Sequence, residues 1–98
     1  MATIAEAKVA VDAVIFTIHD DQLKVLLFTR EKEPFQGKLE LPGGLLLKKE
    51  TANESLQRKL NGIIDTKALT QFHTFTNPDR DPRGRVISIG FFAFIEQM

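Results

Sequence analysis

The chain has no cysteine, no tryptophan and no tyrosine among its 98 residues. The missing thiols exclude a disulfide framework, a thiolate metal site and a cysteine nucleophile together. All eight aromatics are Phe, which gives stacking surfaces without an indole or phenol donor, so no elaborate aromatic cage is expected. Charge of one sign is also missing: thirteen Lys and Arg balance thirteen Asp and Glu. No whole-chain attraction to nucleic acid or anionic lipid follows, and any polyanion site must be local. No apolar run approaches the roughly 20 residues of a membrane helix, and Met1 to Glu6 has neither a basic start nor a secretory core. The expectation is a soluble, cytoplasmic chain with no membrane partner and no direct nucleic-acid binding.

What is present describes one small domain over residues 1–98, with a modest core, so an oligomer or a missing partner segment is expected. Lys8 to His19 and Gln22 to Phe28 are rich in β-branched and aromatic residues on either side of Asp20-Asp21, which predicts a hairpin. Lys38 to Leu41 and Gly44 to Leu47 flank Pro42-Gly43 and predict two short extended pieces meeting at a bend. Thr51-Ala52-Asn53-Glu54 has capping-box form and predicts a helix to about Leu60, where Asn61-Gly62 stops it. Ala68 to Thr76 and Val86 to Glu96 are strand-like, separated by a charged loop from Asn77 to Arg85. The last strand is nearly all apolar, as expected where both faces are covered. One helix cannot cover both faces of such a sheet, so another chain or further sequence is expected to do so.

The run Phe35-Gln36-Gly37-Lys38-Leu39-Glu40-Leu41-Pro42-Gly43-Gly44, followed after five residues by Glu50 and after seven more by Arg58, resembles the opening of a Nudix box. Gly44, Glu50, Arg58 and Leu60 fall in register with that pattern. Gln71 to Phe75 and Asp79 to Ser88 resemble the ADP-ribose pyrophosphatase branch of this MutT-like superfamily and its related Nudix-like transcriptional regulators. The resemblance implies an α+β fold, a Nudix-like mixed β-sheet with a short box helix, here without the C-terminal part of the fold. It also implies a nucleoside diphosphate derivative as ligand and, for active members, Mg²⁺ as cofactor. Regulators of that branch carry a separate DNA-binding domain, for which this chain has no room.

The chain departs from the box at the residues that hold metal. The position after Arg58, a glutamate in the family, is Lys59, and the paired glutamates one turn later are gone, most simply through a three-residue deletion after Asn61. Those acids recur at spacings of three and four so that they gather on one helical face, where their oxygens can hold Mg²⁺ against a diphosphate. Fold and chemistry are therefore expected to be uncoupled.

The candidate residues each carry two readings. Glu50 and Arg58 are the residual catalytic pair of the box, with Glu50 also a metal ligand, or they are a solvated ion pair. Glu54 is a metal ligand or the reciprocal member of the capping box. Gly43 and Gly44 let backbone approach a phosphate, or they make a bend. Arg80, Arg83 and Arg85 offer forks to phosphate, unless Asp79 and Asp81 neutralise them within the loop. Arg30 faces a diphosphate or simply ends a strand. His19 and His73 read as turn and strand residues. Three functions remain open: an impaired domain that binds an ADP-ribose-like nucleotide, an active Mg²⁺-dependent pyrophosphohydrolase, and an interaction module pairing through its apolar terminal strand.

Overall fold

In the computed structural model, which describes residues 2–96, the longest strand is also the centre of the sheet. Strand β1 (Lys8–His19) turns back at Asp20 and Asp21, both with positive φ, into β2 (Gln22–Val25). Such a two-residue turn matches the twist of a hairpin, and Asp tolerates the left-handed region better than most residues. The predicted second arm to Phe28 is shorter because β1 offers only part of its edge to it. Phe16 pairs with Val25, while Ala10 to Asp12 pair antiparallel with β5 (Gly43–Leu45). The displaced chain forms a separate two-stranded ladder, β3 (Phe28–Thr29) with β4 (Leu39–Glu40).

The other edge of β1 carries β7 (Val86–Phe94) in parallel from Lys8↔Val86 to Phe16↔Phe94, and β6 (Thr70–Phe75) pairs antiparallel with β7. The order β2-β1-β7-β6, with β5 beside β1, is a five-stranded mixed sheet. Helix α1 (Ala52–Lys59) packs on one face of it. Alternation along β1 sends Val11, Ala13 and Ile15 to that face, where they meet Leu56, Leu60 and Phe91 in the core. Leu56 and Leu60 are four apart, so one helical stripe supplies both. A 3-10 turn, Thr66–Ala68 capped by Asp65, precedes β6 and shortens the strand expected from Ala68.

The opposite face corrects the reading of β7 as covered on both sides. Val86 and Ser88 are buried, but Phe92 and Phe94 farther along are 43% and 53% exposed. Phe72, at a bulge in β6, and Phe75 lie on the same face, with Phe72 edge-on to Phe92 at 6.0 Å. Phe72 also lies over Gly90, where an added Cβ would come within 2.9 Å of the ring. No helix among the described residues is long and apolar enough to cross a membrane.

Candidate functional site

The approach to α1 is built as a set of reciprocal bonds. Thr51 accepts from the Glu54 amide at 3.1 Å and the Glu54 carboxylate accepts from the Thr51 amide at 2.9 Å, completing the capping box. Glu50 Oε1 accepts from the Leu47 amide at 2.8 Å. Arg58 grips the same carboxylate with two bonds, Nη2 to Oε1 at 2.8 Å and Nε to Oε2 at 3.2 Å. The Arg58 guanidinium, and then the Leu47 amide, hold the Glu50 carboxyl down at about 2. The pair therefore staples the loop before the helix to the helix's last turn.

Gly43 and Gly44 occupy β5, not merely a bend. A Cβ on Gly43, at φ 149°, would come within 2.0 Å of the Val11 carbonyl oxygen, so contact with β1 demands glycine there without any ligand. Gly44, at φ 155°, faces the helix instead: a Cβ there would lie 3.2 Å from Lys59 Cε and 3.4 Å from Lys59 Nζ. The residue that replaces the first glutamate of the box thus lies over the second glycine of the strand before it.

The arginines separate. Arg83 closes on Asp81 with Nη2 to Oδ2 at 2.7 Å and Nε to Oδ1 at 3.0 Å, and this fork holds the Asp81 carboxyl well below the usual carboxylate range. Arg80 donates to the Val86 carbonyl at 3.1 Å and Arg85 to the Thr76 carbonyl at 3.3 Å. The Arg85 Nε is buried without a hydrogen-bond partner. Arg83 and Arg85 line a cavity of about 430 Å³ together with Glu6, Lys8, Leu45 and Val86. Arg30 does not join them; it donates to the Pro34 carbonyl and to Glu40 at 3.1 Å, within the loop between β3 and β4.

Two polar groups escaped the sequence reading. Asp12 accepts a hydrogen bond from the Ser88 hydroxyl across the parallel β1–β7 pair, and Asp12 and Glu40 both act electrostatically on Arg83. The signal for Asp12 was available, since it is the one charged residue between Val9 and Ile18. Its partner, 76 positions away, was not.

Each of these acids already has a partner within the chain. Glu50 is gripped by Arg58, one Glu54 oxygen serves the capping box, and Lys59 adds positive charge beside them. No group of three or more His, Asp or Glu among the described residues is placed to hold a metal.

The NUDIX domain family pattern matches residues 8–97, a span that takes in the mixed sheet, the Gly43-Gly44 strand and α1. The chain belongs to that family. It is similar to an ADP-ribose pyrophosphatase of Methanocaldococcus jannaschii, 41% identical over 86 residues that make up 85% of this chain and 48% of that protein. It is also similar to the ADPR responsive transcriptional repressor NtrR of Acinetobacter baylyi, 35% identical over 89 residues, 87% of this chain and 36% of that one. The chain thus spans half or less of the length of these relatives. Among solved structures, the NUDIX domain of Shewanella oneidensis NrtR complexed with ADP ribose superposes with a TM-score of 0.85 at 34% identity, over 97% of this chain and 64% of that one.

Proposed function

We propose that this NUDIX domain binds a nucleoside diphosphate of the ADP-ribose kind, in the cytoplasm, without cleaving it. The observation that carries this reading is the state of the box helix. Its supports are intact, with the Glu50–Arg58 staple and the capping box both formed, while the residue after Arg58 is a lysine and no metal-binding trio of acids stands among the described residues. Without clustered oxygen ligands the diphosphate gains neither a polarising metal nor a metal-positioned water. At the cavity beside Leu45, Arg83 is closed on Asp81, Arg85 donates to the Thr76 carbonyl and Glu6 joins the lining, so the phosphate is better received on the helix side of the sheet.

Two other readings have an observation each. The 41% identity to an ADP-ribose pyrophosphatase favours a Mg²⁺-dependent hydrolase that uses Glu50 with acids from elsewhere. The exposed Phe92 and Phe94 on the terminal strand favour an interaction module. The separating experiment is incubation of the protein with ADP-ribose and Mg²⁺, with chromatography for products and equilibrium dialysis for retained ligand. Retained ligand without products supports the binding domain. AMP and ribose phosphate would establish the hydrolase, and no retention together with concentration-dependent self-association would establish the interaction module.

A further inference from the structure

We propose that the Lys59 ammonium is a built-in cation for one phosphate of the bound diphosphate, received over the bare backbone of Gly44, so that binding needs no metal. The inference rests on the reading above that the ligand is a nucleoside diphosphate. Lys59 is exposed, and among the described residues no carboxylate lies within ion-pairing distance of it. Its position in the last turn of α1 suits the helix dipole, but that alone does not lay its Cε and Nζ 3.2 and 3.4 Å from where a Gly44 side chain would begin. A Cβ at 44 would press on the Lys59 Cε and shift it by a few tenths of an ångström.

The two nearby acids do not neutralise it. Glu50 is committed to Arg58 and the Leu47 amide, and Glu54 to the Thr51 amide. Between Lys48 and Leu60 four cations, Lys48, Lys49, Arg58 and Lys59, stand against these two acids. The segment is positive where a divalent-metal site must be negative, and a positive segment attracts phosphate directly. A lysine ammonium is a point charge with three donors, which suits a phosphate oxygen without demanding a planar geometry.

The test uses the whole chain and two probes, ADP-ribose and inorganic pyrophosphate, titrated calorimetrically in excess EDTA and again with Mg²⁺. The expected result is saturable binding of both in EDTA. Lys59→Gln should weaken each roughly tenfold or more in EDTA, as loss of a charge-assisted contact does. Lys59→Arg should retain most of the binding, and unchanged thermal unfolding of both variants would show that the fold is not the cause. ADP-ribose binding that requires Mg²⁺, or that Lys59→Gln leaves unchanged, overturns the proposal while leaving the nucleotide reading in place. Lys59-dependent pyrophosphate binding without ADP-ribose binding upholds the cation site and overturns the choice of nucleotide. Binding of neither probe overturns both.

Discussion

Helix α1 with its approach, and the loop from Asn77 to Arg85, each contain an arginine gripping a carboxylate with two bonds. Arg58 reaches back eight residues to Glu50 and fastens the chain before the helix to the helix's end. Arg83 reaches only two residues, to Asp81, and shapes a turn within one loop. The first pair spans the element that buries Leu56 and Leu60 against β1; the second lies in a loop that borders a cavity, where the neighbouring Arg85 has a buried Nε without a partner. The same side-chain chemistry therefore fastens a helix in one place and only shapes a loop in the other. Loop span and what lies behind the pair decide which.

The sharpest way to break the architectural side is to empty its core. Leu56→Ala should cost about 2–5 kcal/mol, because the side chain is fully buried and the sheet behind it relaxes little; urea denaturation would read it as a lower midpoint. Gly43→Ala should follow at about 3 kcal/mol, from overpacking against the Val11 carbonyl and from a φ that alanine disfavours. Gly44→Ala separates the two glycines: its φ of 155° carries a similar backbone cost, but the steric obstacle there is only the flexible end of Lys59, so the stability loss should be smaller while phosphate binding suffers. Thr51→Ala removes the helix cap and should cost about 1 kcal/mol in the same assay.

Acid titration sharpens the comparison further. Arg58, aided by the Leu47 amide, lowers the Glu50 carboxyl from 4.5 to about 2. Its contribution to stability is therefore fully present above 4.5 and fades as pH falls toward 2, where the folded carboxyl also takes up a proton. In Arg58→Met the acid-induced loss of stability over that interval should shrink, as read by circular dichroism. Arg83→Ala should instead leave unfolding nearly unchanged, because its pair with Asp81 spans only two residues of one loop. If Arg83→Ala unfolds the protein as readily as Leu56→Ala does, the division between the two regions fails.

Much of the architecture was legible because it is written in short-range patterns. Asp20-Asp21 between two β-branched runs marked the hairpin, and Thr51 with Glu54 marked the start of α1, since both signals act within a few residues. The division of the β1 edge between Val25 and Gly44 was not legible, because it depends on strands that meet only after folding. The apolar run of β7 concealed that its two ends have different surroundings, with Ser88 buried and Phe94 open. At the candidate site, the Glu50–Arg58 spacing pointed to a pair in advance. The retreat of Arg30 onto Glu40 and the seating of Lys59 on Gly44 are spatial coincidences that no local pattern encodes.

The proposed binding without cleavage requires that this NUDIX domain keep the scaffold of its box helix while its acids form no metal site. The most direct measurement is titration of the ligand-free protein with Mn²⁺ as a stand-in for Mg²⁺, following the free-ion electron paramagnetic resonance signal. The expected result is a signal that tracks added Mn²⁺ with no tightly held ion. A stoichiometric loss of free Mn²⁺ at micromolar concentration, abolished by Glu50→Gln or Glu54→Gln, would contradict it.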